Sequence, residues 1–334
     1  MFRQLQVTCV AAGALVLSTG IAQAEELSVA TFVPPNHETN EVMFKWFGEE
    51  LEKRSGGSLT MKLYPAGQLG AGPTQQYKRA IEGVGDITLG VAAYTPTLFP
   101  KTMLAILPGK SNTAAESTDR IWRVFDEHMA DEWSEVKVLA VGSVAGSVFV
   151  ANRDISTMEG LKGAKLVPFA PSTSPIVEAL GAVPVMMEIT DMYTALDTGT
   201  VDVLTTSFNS LMPPWNLEDV ASHVAENVPA SFQVLFVAMN KERYEGLSDD
   251  HRAIIDELAG LPMSQMMAKS FDSADEIFLN MKDDVDMKYE WKVVSDEERA
   301  KMDAAVLEGM EEVYAQYAAR GIDNAKEIYE AMNE

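Results

Sequence analysis

The run from Gly160 to Asn209, GLKGAKLVPFAPSTSPIVEALGAVPVMMEITDMYTALDTGTVDVLTTSFN, switches repeatedly between short apolar segments and amphipathic ones. That rhythm leaves little room for anything but a layered α/β fold. KLVPF reads as a strand, SPIVEALG as a helix, AVPVMME as a strand, DMYTALDTG as a helix and VDVLTTS as a strand, a βαβαβ-like series. Tyr193, Ala195 and Leu196 are expected on the inner face of its second helix, with Gly199 as that helix's cap.

The first half of the chain has the same texture. A strand is expected over Leu27 to Thr31, followed by the loop VPPNHETN. A helix from about Glu41 to Arg54 then buries Met43, Trp46, Phe47 and Leu51 at three- and four-residue spacing, and Gly56-Gly57 end it. LTMKLYP, DITLGV, VKVLAVG and SVFVAN read as strands, with helices around Thr74 to Glu82 and Ala114 to Met129. A further strand near Phe232 to Met239 precedes a helical C-terminal region.

Met1 to Ala24 carries one basic residue, Arg3, an apolar stretch from Val7 to Leu17, and the small-residue pattern Ala22-Gln23-Ala24. This predicts a signal peptide cleaved near Ala24 and export to a periplasm. Cys9, the only cysteine, lies inside it, so the mature chain has no disulfide and no thiol chemistry. The remaining ~310 residues exceed what one hydrophobic core usually organises, so two lobes are expected. Lys and Arg are outnumbered 26 to 50 by Asp and Glu, a formal charge of −24 that argues against nucleic acid as a partner. No apolar run after the signal suits membrane insertion.

Catalysis finds no support in the motifs. AGQLGAG lacks both the Lys-Ser/Thr of a phosphate loop and the GxGxxG order of a dinucleotide fold, and reads as a tight turn. His37, His128, His223 and His251 show no metal-ligand spacing, and no GxSxG elbow is present. Neighbouring carboxylates such as Glu49-Glu50 and Asp249-Asp250 point in different directions on a helix. No enzyme activity, metal or cofactor is therefore expected.

The opening ATFVPPNHETNEVMFKWFGEELEKRSGGSLTMKLYPAGQLG, the segment GVGDITLGVAAYTPTLFP, and LKGAKL followed by LGAVPV and DMYTALDTGTVD resemble, in order and spacing, the DctP-type substrate-binding proteins of tripartite ATP-independent periplasmic (TRAP) transporters. The resemblance implies two α/β lobes around a hinged cleft, a long connecting helix, and delivery of a small organic ligand to TRAP membrane subunits. Residues 25–149, with 232–290 returning, are expected in one lobe. Residues 150–231 are expected in the other, with 291–334 packing across both. A monomer is expected.

The departure lies where such proteins grip their cargo. Most carry an arginine just after LK-G-x-K-[LI], whose fork of donors holds an organic acid's carboxylate; Val167 stands there. A second arginine is common at the position of Ser147. Lys162 and Lys165 belong to the shared turn and are expected to face solvent. A cleft without its cation favours a ligand without a carboxylate, either a neutral polar molecule or an amine or amino alcohol, because an unpaired buried anion costs several kcal/mol. An organic acid held by another cation, a ligand-sensing subunit, and a hydrolase or isomerase are the alternatives.

Position beyond the strand ends nominates Asn36, His37, Tyr94, Ser147, Phe149, Phe169, Glu188, Phe208, Asn209 and Trp215 as ligand-binding residues. Phe149 also suits a strand core, Trp215 a loop pin, Glu188 the surface, His37 a helix entry and Asn209 a turn. Tyr94 and Phe208 are large side chains in Thr- and Ser-rich loops with no evident core of their own.

Overall fold

The computed structural model describes residues 24–109, 111–144, 147–229, 231–282 and 288–334; the expected signal peptide through Gln23 lies outside them. Eleven strands are described: β1 (Glu25–Ala30), β2 (Leu59–Tyr64), β3 (Ile87–Val91), β4 (Val136–Val144), β5 (Val148–Ala151), β6 (Lys165–Val167), β7 (Val183–Pro184), β8 (Val203–Thr206), β9 (His223–Glu226), β10 (Gln233–Asn240) and β11 (Glu290–Val293). They form two sheets, one ordered β2-β1-β3-β10-β4 and the other β11-β9-β5-β8-β6-β7. The molecule is thus the two-lobed α/β structure expected.

In the first sheet β1 runs parallel to β2 and β3, while β10 returns antiparallel between β3 and β4. β3 is buried along its whole length and β10 from Val234 onward, which matches their nearly continuous apolar composition. In the second sheet β6 is parallel to β7 and β8, whereas β5 lies antiparallel to both β8 and β9. The chain passes from one sheet to the other between β4 and β5, between β9 and β10, and along the helix Leu261–Met281 before β11. No described helix is long and apolar enough to cross a membrane.

Local chemistry accounts for most element ends. Gly56 closes the helix Lys45–Ser55 in the left-handed conformation, and Thr113, Ser248 and Ser295 cap helices by accepting a backbone N–H. Some expected elements differ. The helix expected from Glu41 begins as a wide turn over Thr39–Phe44, and the one expected to reach Met129 leaves the α form after Val124. AVPVMME contributes only Val183–Pro184 to a strand, because β7 pairs with β6 alone at the sheet edge. Tyr193 is 38% exposed, and Met192 takes its place facing inward with Ala195 and Leu196.

Phe99 stacks on Trp133 with ring centres 4.0 Å apart, and Tyr77 meets both edge-on, filling the first lobe's core. The helix Asp296–Ala319 lies against Ser174–Ala179 of the second lobe. Gly309 makes that approach possible, since a Cβ there would fall 2.6 Å from Ile176 Cα and 2.9 Å from Ile176 N. Backbone cannot swing aside as a side chain does. Gly309→Ala is therefore expected to destabilise the protein by about 1–3 kcal/mol through overpacking, read as a lowered thermal midpoint, while Leu307→Ala at a 65% exposed position leaves the midpoint unchanged.

Candidate functional site

A cavity with about 570 Å³ of atom-free space lies between the sheets. Its walls come from chain segments that follow parallel strands: Phe32 and Val33 after β1, Val91 and Tyr94 at and beyond the end of β3, Phe169 after β6, and Thr205, Thr206 and Ser207 at the end of β8. Carboxyl ends of parallel strands gather loops at one edge of a sheet, which is where α/β folds form ligand crevices. Gln233 and Leu235 enter from β10, Ile189 and Met192 from the helix Ile189–Asp197, and Phe271 from the helix Leu261–Met281.

The walls are mainly apolar and aromatic. His37 is buried between Trp215 and Phe271, meeting each ring edge-on at 5.8 and 6.1 Å between centres. Its Nδ1 accepts the Thr39 backbone N–H at 3.2 Å, which leaves Nε2 as the protonated nitrogen. Burial pushes the imidazole's pKa down to about 3, so the ring is neutral. On the polar side, the hydroxyls of Thr206 and Ser210 pair at 2.8 Å, and Ser207 donates to the side-chain oxygen of Asn209.

Behind His37 and Asn209 lie two carboxyls, Asp275 buried and Glu38 12% exposed. Asn209 Nδ2 donates to Glu38 Oε1 at 2.5 Å, and its backbone N–H donates to Asp275 Oδ1 at 2.8 Å. Burial raises Glu38 to about 7 and Asp275 to about 8; the bonds from Asn209 pull the other way and are outweighed. Asp272 and Glu38 add negative charge around Asp275.

Of the ten residues nominated from sequence, His37, Tyr94, Phe169, Asn209 and Trp215 line this cavity. The other five lie elsewhere. Asn36 is exposed in the turn closed by His37 N–H to Pro34 O. Phe149 is 3% exposed, a core side chain on an interior strand of the second sheet flanked by β8 and β9. Phe208 turns away from Asn209 and stacks on Phe278 and Trp291 at 5.8 and 5.9 Å, so it has a core of its own after all. Ser147 exchanges hydrogen bonds with the backbone of Ser231, and Glu188 accepts one from Thr74 Oγ1.

Sequence reading missed Phe32, Gln233, Phe271 and the Thr205-Thr206-Ser207 run. The last had a signal, a polar cluster closing the apolar strand VDVL; Phe271 and Asp275 sit far along the chain on a helix whose placement no local pattern reveals. No Lys or Arg is among the cavity's described lining residues. Val167 is fully buried in the second lobe's core, Lys165 Nζ is engaged by the carbonyls of Gly199 and Thr200 at 2.8 and 2.6 Å, and Lys162 is exposed.

Several known proteins are similar to this chain. The protein named outer membrane transporter protein TsaT from Comamonas testosteroni is 28% identical over 278 residues, 81% of this chain and 80% of its own length. A TRAP solute-binding protein from Rhodoferax ferrireducens T118, solved with copurified benzoate, is 25% identical and superposes with a TM-score of 0.86 over 93% of this chain and 97% of its own. A marine metagenome TRAP solute-binding protein from an unidentified microbe, specific for aromatic acid ligands, gives 25% identity and a TM-score of 0.85 over 92% of this chain and 97% of its own. Residues 29–319 match DctP, the bacterial extracellular solute-binding protein family 7, and the chain belongs to that family of transporter binding proteins rather than to an enzyme family.

Proposed function

We propose that the protein captures, in the cavity between its sheets, a small molecule with an aromatic or similarly flat apolar body and a polar end that is uncharged or cationic, and passes it to TRAP membrane subunits. One observation carries this reading: Phe32, Tyr94, Phe169, Trp215 and Phe271 line the cavity and, among the described residues, no Lys or Arg does. Rings offer flat contact area to a ring-sized body. A carboxylate brought here gains no fork of donors, whereas hydroxyls and amides of Thr205, Ser207, Ser210 and Gln233 suit a neutral head. The ring-shaped ligands of the two solved relatives support the body of this proposal. Their carboxylates favour a second reading, an aromatic acid held by those same hydroxyl and amide donors.

Capture follows from contacts that both lobes make at once. A ligand touching both walls stabilises the closed arrangement by its differential affinity for it. A contact across the cavity supports this reading, the Ile189 N–H donating to the Tyr94 hydroxyl at 2.8 Å. The mature chain is proposed to act as a periplasmic monomer after cleavage near Ala24.

Thermal-shift titration of the purified mature protein with benzyl alcohol, benzamide, benzylamine, benzoate and 3-hydroxybenzoate tests the charge rule. The expected result is stabilisation by the first three and little by the acids; stabilisation by the acids alone replaces this reading with the second. Trp215→Ala is expected to weaken the best of these ligands by about tenfold, or 1.4 kcal/mol, by calorimetry. Tyr94→Phe removes the acceptor of the Ile189 N–H, an uncompensated loss of about 1–3 kcal/mol. Hydrogen exchange at the Ile189 amide is expected to quicken by tenfold or more.

A further inference from the structure

Asn209 is the shared hydrogen-bond donor between two acids carried by different parts of the molecule. Glu38 sits in the segment after β1 of the first sheet, Asn209 in the turn Phe208–Leu211 after β8 of the second, and Asp275 on the helix that passes between them. The group therefore forms only when the two sides of the cleft are together. Among the described residues neither acid has a lysine or arginine within ion-pair distance; the contact recorded for Glu38 is His37 Nε2 at 3.4 Å.

The histidine cannot serve as a counter-ion. Its Nδ1 is occupied by the Thr39 N–H, and it faces Glu38 as a neutral donor. Asp272, one turn before Asp275, is turned toward the backbone N–H groups of Ala114 and Ala115 at 2.6 and 3.0 Å and adds only negative charge. His37, Asp272 and the two acids themselves are the titratable groups facing this network. Two largely buried carboxylates that share Asn209 as donor, with a neutral ring for company, are poorly matched by their surroundings.

We propose that closing the cleft takes up protons on Glu38 and Asp275, so that the closed, cargo-holding state is favoured as the pH falls. When the lobes part, Asn209 leaves Glu38, water reaches the acids, and they ionise in the ordinary carboxylate range. When the lobes meet, burial carries them to about 7 and about 8. A pKa raised on closing means that the closed form binds more protons. Its advantage is fully present below the ordinary carboxylate range and is lost as the pH rises through about 7 and then about 8. Between these limits each proton taken up changes the closed-to-open ratio by up to about tenfold per pH unit. The inference rests on the two-lobed cleft and is independent of which cargo fills it.

The test uses the full mature chain without ligand. Because Cys9 is the only cysteine and lies in the expected signal peptide, spin labels can be placed cleanly on Glu49→Cys and Asp197→Cys, exposed positions on opposite lobes. Pulsed-EPR distance distributions from pH 5 to pH 9 are expected to show the short-distance population falling at least tenfold relative to the long one between pH 6 and pH 9. In the Glu38→Gln, Asp275→Asn background the profile is expected to flatten. A pH-independent distribution in the parent protein, or an undiminished slope in a folded double variant, overturns the proposal. If the double variant does not fold, the parent profile and the two single variants decide the matter by the same criterion. A screen in which no aromatic compound binds overturns the cargo reading and leaves this profile standing.

Discussion

The passage of the chain between its two sheets, at β4 to β5, at β9 to β10 and along the helix Leu261–Met281, is the constraint on which the rest depends. Each crossing brings a strand end or helix face from one lobe against the loops of the other. Gln233 begins β10 just after a crossing, and its amide reaches the Phe169 carbonyl at 3.0 Å. Phe271 and Asp275 arrive on the third crossing, and so the cavity and the acids behind it share a support. A chain that completed one lobe before starting the other would place none of these groups together.

Much of this was legible beforehand because strands and helices advertise themselves by period. The βαβαβ-like run from Gly160 onward and the loops after β1, β3 and β8 led to His37, Tyr94 and Asn209, since strand ends are where such sheets open. Direction was harder to read than position. Phe208 and Asn209 are adjacent, yet a tight turn sends the ring to Phe278 and Trp291 and the amide to Glu38. Tyr193 and Met192 exchange roles for the same reason, a rotation of one residue about a helix axis. Partners remote in sequence, such as Glu38 with Asp275, leave no local trace at all.

Electrostatically, the site extends what Val167 and Ser147 first suggest. Loss of a cation from a cleft leaves, by itself, only neutrality. Here burial keeps the His37 imidazole neutral at the wall and raises the two acids behind it toward their protonated, uncharged forms. The aromatic walls surround the cavity with little that water can solvate, which magnifies any charge brought in.

The exchange between Ser147 and Ser231 has a mechanical meaning. The two residues lie on the connecting segments before β5 and before β10, and they fasten those segments at one point through a hydroxyl and a backbone amide. Two ribbons pinned side by side resist sliding but still twist. Any relative travel of the lobes therefore has to carry these two connecting segments as a pair for as long as the bonds between Ser147 and Ser231 hold.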